Sequence, residues 1–211
     1  MKFYFLKRNN ESRLLLFFAG WGMDYHVFPE LEAFAGDVCI CYDYTDMAFD
    51  ETRFAGYRSV RLVAWSMGVW AASFVLQNKK LAFEEKIAVN GTLYPVSRER
   101  GIIPEIYDAT RQMLNERSLQ KFYRRMCRTQ ALYDTFMEKR PRRDLDSLRE
   151  ELTAIGQLSA AAPTPQFEWD TIFIGTNDLI FTTANQQQGW QETGKYRFIP
   201  AAHYLCFDFV L

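Results

Sequence analysis

The chain is punctuated by seven short apolar runs, and most are apolar at nearly every position rather than at every second one. They are "KFYFLK", "RLLLFFAG", "DVCICYDY", "SVRLVAWS", "KIAVNG", "DTIFIGTND" and "KYRFIPAAH". A strand that is apolar all round must be covered on both faces, and helices provide that cover in α/β proteins. Helical stretches do lie between the runs. "MGVWAASFVLQNKK" is apolar nearly all round and reads as a buried helix, whereas "NQQQGWQ" is a weaker, polar candidate. Strand–helix alternation predicts a mostly parallel sheet with right-handed crossovers and helices on its faces. The first two runs, joined by "RNNES", read as a pair of strands.

One region breaks the alternation. Residues 94–164 contain no convincing strand, and "PEIYDATRQMLNERSLQKFYRRMCRTQALYDTFMEKR" and "DLDSLREELTAIGQLSA" read as helices separated at Pro141. A helical block set between two strands is expected to form a lid over one end of the sheet, inserted within a single domain spanning residues 1–211. A helical layer with no gating role is the alternative.

Bulk properties remove several function classes. The net charge of −1 exerts no general pull toward nucleic acid or a membrane surface. No apolar run approaches the ~20 residues of a membrane span. "MKFYFLKRNNESR" lacks a signal peptide's apolar core and cleavage site. Without such a signal, four cysteines and no C-x-x-C pattern predict reduced thiols in a cytoplasmic protein. Only two histidines are present, neither at ligand spacing from a cysteine pair, so no metal is expected. A monomer is expected.

"AWSMG", residues 64–68, joins an apolar strand to an apolar helix through Ser66. A serine on such a turn is either a helix N-cap or a nucleophile lifted out of the sheet. Small residues two before and two after it, Ala64 and Gly68, permit the tight turn. A nucleophilic serine needs a base, an acid to orient that base, and N–H donors for the oxyanion. His203 follows the last apolar run and is the candidate base. His26, beside Val27 and Phe28, reads as a packing residue. Asp178, in the "GTND" turn, is the candidate acid, with Asp43, Asp46 and Asp170 as backups. The order Ser…Asp…His is that of α/β-hydrolases. Met67 N–H, just after the serine, supplies one oxyanion donor. Trp21 N–H, in the Gly20–Gly22 loop, supplies the second, and its indole could wall an acyl pocket. Cys127 and Cys206 lack the turn that a nucleophile needs.

"FFAGWGMD", "AWSMG", "GTNDLIF" and "AAHYLCF" together resemble the BioG-type pimeloyl-[acyl-carrier protein] methyl ester esterases, a family of short α/β-hydrolases. The resemblance runs over essentially the whole chain. It implies hydrolysis of the methyl ester of pimeloyl-[acyl-carrier protein] in biotin synthesis, with Ser66, His203 and Asp178 as the triad and no cofactor. It also implies an acyl-carrier protein as partner. "ERSLQKFYRRMCRTQ" resembles the lid helix of BioH-type esterases, which places Phe122 and Met126 beside the acyl chain; core packing is the alternative reading. Ten basic residues crowd this region: Arg117, Lys121, Arg124, Arg125, Arg128, Lys139, Arg140, Arg142, Arg143 and Arg149. They suit an acidic carrier protein, and Arg124, Arg128 and Arg142 are singled out as docking residues. Two features depart from the usual hydrolase pattern. Ala64 replaces the first elbow glycine, and the eight residues after His203 leave its loop with little expected support. Rival readings are a general short-acyl esterase or thioesterase and a non-catalytic binding protein of the same fold.

Overall fold

A computed structural model describes residues 1–211. Seven strands form one sheet: β1 (Lys2–Lys7), β2 (Arg13–Phe18), β3 (Asp37–Tyr42), β4 (Ser59–Trp65), β5 (Phe83–Val89), β6 (Thr171–Gly175) and β7 (Tyr196–Ile199). The spatial order is β1-β3-β2-β4-β5-β6-β7. Every neighbouring pair is parallel except β1 with β3. Six helices accompany the strands: α1 (Met67–Leu76), α2 (Pro104–Gln112), α3 (Glu116–Cys127), α4 (Gln130–Glu138), α5 (Leu145–Ala161) and α6 (Thr183–Trp190). This is the expected mostly parallel α/β arrangement. No helix is long and apolar enough to cross a membrane.

Burial follows the sequence pattern. Leu14 to Phe18 of β2 and Leu62 to Trp65 of β4 are all buried, since both strands lie inside the sheet with covered faces. The expected pairing of the first two runs is corrected here. Both are strands, but β3 lies between them, and Phe3 of β1 pairs with Cys41 rather than with β2. The reason is burial: β2 needs a strand on each side, whereas alternately exposed β1 suits the sheet edge.

Between β5 and β6 the chain forms α2 to α5 and no strand. The expected long helical stretch is divided at Asn115 and Thr129, whose side chains cap α3 and α4, and Asp144 caps α5 after Pro141. This insertion shares one apolar core with the sheet. Tyr107, Tyr123, Met126, Phe136 and Ile155 are buried in the same cluster as Leu16 and Val63.

The β4–α1 turn is packed without slack. A Cβ on Gly68 would lie 2.3 Å from the Phe18 carbonyl oxygen, and one on Gly91 would lie 2.3 Å from the Ser66 carbonyl oxygen. Ala64 is fully buried within β4 opposite Ala88 and Phe18. Gly68→Ala should therefore cost roughly 2–4 kcal/mol of stability. Ala64→Gly, which completes G-x-S-x-G, should also destabilise, by about 0.5–1 kcal/mol, through backbone entropy. Urea unfolding of both variants checks this; a stabilised Ala64→Gly would contradict it.

Candidate active site

Five loops at the C-terminal ends of parallel strands converge: Gly20–Gly22 after β2, Ser66 after β4, Asn90 after β5, Asp178 after β6 and His203 after β7. Ser66 has φ 60° and ψ −128°, a conformation that non-glycine residues rarely adopt. It stands at the N-cap position of α1, yet its side chain makes no capping hydrogen bond. Its hydroxyl oxygen instead lies 2.9 Å from His203 Nε2. His203 Nδ1 lies 2.8 Å from Asp178 Oδ2. An ionised carboxylate only accepts, so Nδ1 carries the proton and Nε2 is left to accept from the serine.

Asp178 serves its own turn and the histidine at once. Oδ1 accepts from the N–H groups of Ile180 (2.7 Å) and Phe181 (3.1 Å), while Oδ2 accepts from His203 and from Gln186 Nε2 (2.9 Å). Four donors on a carboxylate that is 3% exposed fix its direction. The alternatives go elsewhere. Asp43 pairs with Lys2 and Arg143, Asp46 accepts from Ala48 N–H, and Asp170 accepts from Lys86 N–H. His26 bonds Asp24 and stacks on Tyr25. Burial pushes the Cys127 thiol up to about 12, and Cys206, bonded to Asp208, is also raised.

The loop after β2 lies against the serine: a Cβ on Gly20 would be 3.1 Å from Ser66 Cβ. Neither Trp21 N–H nor Met67 N–H donates to any acceptor in the protein. The Trp21 indole N–H donates to the Leu148 carbonyl of α5 at 2.9 Å, and its ring meets Phe122 edge-on at 5.1 Å. A cavity of about 230 Å³ opens above Ser66 and His203, lined mainly by apolar side chains that include Trp21, Phe122 and Met126. Arg124, Arg128 and Arg142 are exposed and do not line it. Arg124 bonds Gln130 and covers the Tyr133 ring. The basic residues at the cavity are Lys121 and Arg125, one helical turn apart on α3. Arg143, by contrast, is buried in ion pairs, and Lys139 pairs with Glu30.

The His203 loop has the support that its short C-terminal sequence did not promise. The His203 carbonyl accepts from Trp65 Nε1 (2.8 Å) and Asn90 Nδ2 (2.9 Å). Asn90 Nδ2 also donates to the Ala202 carbonyl (2.8 Å), and Asn90 Oδ1 accepts from Gly175 N–H (2.7 Å). Asn90 has φ 48° and no exposed surface. The Asn-Gly pair after the fifth apolar run signals a turn with positive φ, but nothing in it points to His203, 113 residues away. Gln186 sits in the weakly patterned α6 and leaves no signal at all.

The family described as "Pimeloyl-ACP methyl esterase BioG" matches residues 1–211. The chain belongs to the BioG family. A crystal structure of BioG from Haemophilus influenzae superposes with a TM-score of 0.88 at 36% identity, covering 97% of this chain and 94% of that one. A malonyl-[acyl-carrier protein] O-methyltransferase of Bacteroides fragilis is 44% identical over 191 residues. That match takes in 90% of this chain but 39% of the relative, so the chain spans about two fifths of that protein's length. An enol-lactonase from Burkholderia xenovorans has a TM-score of 0.63 at 13% identity over 96% of this chain and 88% of its own, a likeness of α/β-hydrolase fold alone. Family membership and an α/β-hydrolase fold are thus established for the chain.

Asn90→Asp tests the loop support. It sets a carboxylate oxygen against the Ala202 and His203 carbonyls, so ionisation is disfavoured in the folded state and that carboxyl's pKa rises. The variant's stability deficit should be smallest below the ordinary carboxyl pKa and should grow as pH rises through the folded value. Thermal unfolding from pH 4 to 8 measures it; a pH-independent deficit would contradict the assignment.

Proposed function

We propose that this protein is a serine carboxylesterase that removes the methyl ester of pimeloyl-[acyl-carrier protein]. The observation that carries the reading is the continuous chain Ser66 Oγ–His203 Nε2 (2.9 Å) and His203 Nδ1–Asp178 Oδ2 (2.8 Å) on a strained strand-to-helix turn. In this reading Ser66 attacks the ester carbonyl while His203 takes the hydroxyl proton. Asp178 holds the imidazole tautomer and stabilises the imidazolium that forms. The oxyanion is received by Trp21 N–H and Met67 N–H. His203 passes its proton to the departing methoxide, methanol leaves, and a water deprotonated by His203 cleaves the acyl-enzyme.

The substrate assignment is supported by family, cavity and charge. At about 230 Å³ the cavity lies below the ~300–1,000 Å³ of pockets for drug-sized ligands, a size for a short acyl chain. Its apolar lining, with Phe122 and Met126 on the lid side, suits a polymethylene chain. Lys121 and Arg125 are the exposed basic residues of the lining and would meet the chain on its way to the carrier. Arg124, Arg128 and Arg142 extend the positive surface beyond the cavity, where an acidic carrier protein would be steered in. Residues 94–164 act in this reading as the lid. The methyltransferase name of the longer relative is compatible, because most of that protein lies outside the match. A methyl group added to a carrier-bound acid is the kind of group that this esterase removes.

Two measurements test the proposal. Ser66→Ala should lower the release of methanol from pimeloyl-[acyl-carrier protein] methyl ester by about 10⁴-fold or more, with the fold retained. Reversing the charge at Arg124, Arg128 and Arg142 should reduce kcat/KM on that carrier-bound ester about tenfold or more at low salt. The loss should shrink at high salt, with rates on p-nitrophenyl butyrate unchanged. Equal turnover of the carrier-bound ester at low salt would exclude docking through these arginines.

A further inference from the structure

Glu151, on α5, has no exposed surface, and the reaction proposed above does not use it. A carboxylate taken wholly out of water is costly unless charge and donors compensate it. Here every bond is accounted for. Oε2 accepts from Arg143 Nη1 at 2.6 Å and from the Gly22 N–H at 3.1 Å, and Oε1 accepts from the Tyr44 N–H at 2.9 Å. Arg143 also pairs with Asp43 at 3.2 Å, and Asp43 with Lys2 at 2.9 Å. The charges alternate and cancel. Burial pushes the Glu151 carboxyl above its ordinary range, with Arg143 and the two peptide N–H groups acting against that push.

The donors are informative. Gly22 directly follows Trp21 and has φ +76°, in the left-handed region where a glycine peptide is free to swing. One helical turn before Glu151 on α5, the Leu148 carbonyl takes the Trp21 indole N–H. Two consecutive residues of the loop are thus tied to one turn of α5. Two peptide N–H groups and a guanidinium converge on the Glu151 side chain, and only a group that accepts at both oxygens satisfies all three. A glutamine of the same shape would turn its NH₂ against one of them.

We propose that Glu151 is a positioning residue for the oxyanion loop. It fixes the Gly22 peptide so that the preceding Trp21 N–H faces the oxygen of an ester bound at Ser66. The inference rests on the serine-esterase reading of that site.

The test uses the full chain with p-nitrophenyl butyrate as substrate. Active sites are counted with a fluorophosphonate, and an aliphatic trifluoromethyl ketone serves as the probe of oxyanion binding. Glu151→Gln should lower kcat per titrated site about 10- to 100-fold with KM within about twofold, somewhat less than removal of an oxyanion donor outright. The inhibition constant of the ketone should rise by the same factor. A role confined to stability predicts a lower Tm and fewer titrated sites with unchanged kcat per site, and that result overturns the proposal. Should Glu151→Gln not fold, the wild-type amide exchange decides: Gly22 N–H must be protected before inhibitor is added, and Trp21 N–H only after. A freely exchanging Gly22 N–H overturns the proposal. Ser66→Ala separates the two levels. If it retains turnover, the serine reading falls and this inference with it. If it is inactive while Glu151→Gln keeps full kcat per site, only the role of Glu151 falls.

Discussion

The arrangement depends on a serine held where serines rarely sit. The φ of 60° at Ser66 costs on the order of 1–3 kcal/mol, and such a conformation persists only where the surroundings over-determine it. The surroundings here are backbone. Gly68 lies against the Phe18 and Ala19 carbonyls and Gly91 against the Ser66 carbonyl, with no room for a Cβ at either glycine. β2 and β5, the two strands flanking β4, therefore clamp the turn from both sides. Relaxing the serine would mean moving the centre of the sheet, where Phe17 to Ala19, Val63 to Trp65 and Ala88 to Val89 beside the turn are all buried. The turn is rigid because the core is close-packed.

The histidine reaches the serine by a different device. β7 is a four-residue, half-exposed edge strand, a weak platform for a residue that must be placed to a fraction of an ångström. The loop beyond it is fixed from the centre of the sheet instead. Trp65, next to Ser66, and Asn90, at the end of β5, both donate to the His203 carbonyl. Asn90 also ties down Gly175 at the start of the loop that carries Asp178. One buried amide thereby refers His203 and Asp178 to the strand beside the serine. Errors of placement at the sheet edge are not passed on to the site.

What the sequence made legible follows from this division. The strands of the sheet interior are continuous apolar runs because both faces are covered, and a covered strand cannot be written otherwise. The residues that meet at the site come from short patterned segments, the strand–serine–helix junction and the turns after two late runs. The order of β1, β2 and β3 was not legible, because a short "RNNES" link suits a hairpin as well as a crossover to the edge. Asn90, Gln186 and Glu151 were not legible either. They act largely through bonds to backbone groups, with one carboxylate partner for Gln186 and one guanidinium for Glu151, and a backbone partner leaves no trace in residue type. A buried glutamate within "LREELTAIG" looks like any charged helix residue until its neighbours are known.

The insertion is bound to both halves of this machinery. α5 holds the Gly20–Gly22 loop through Leu148 and Glu151, while α3 holds the histidine loop, where Tyr204 N–H donates to the Met126 carbonyl and Tyr204 packs on Phe136 of α4. These contacts differ in kind. Beside α5, Arg143 joins Glu151 to Asp43 at the end of β3, and this largely buried ion pair cannot be parted without leaving an uncompensated charge. The α3 contact is one neutral backbone hydrogen bond, worth roughly 0.5–1.5 kcal/mol, beside aromatic packing. Movement of the insertion is therefore cheapest at α3, pivoting against an α5 that stays with the sheet, since the end of α4 is also held by the Lys139–Glu30 ion pair. Such a motion would carry Phe122, Met126, Lys121 and Arg125 away from the cavity together, because all four lie on α3. It would also loosen the loop beside His203 while leaving Trp21 in place. Under the proposed esterase reaction, closure over a bound chain and final placement of His203 would become one event, with the Trp21 loop set in advance.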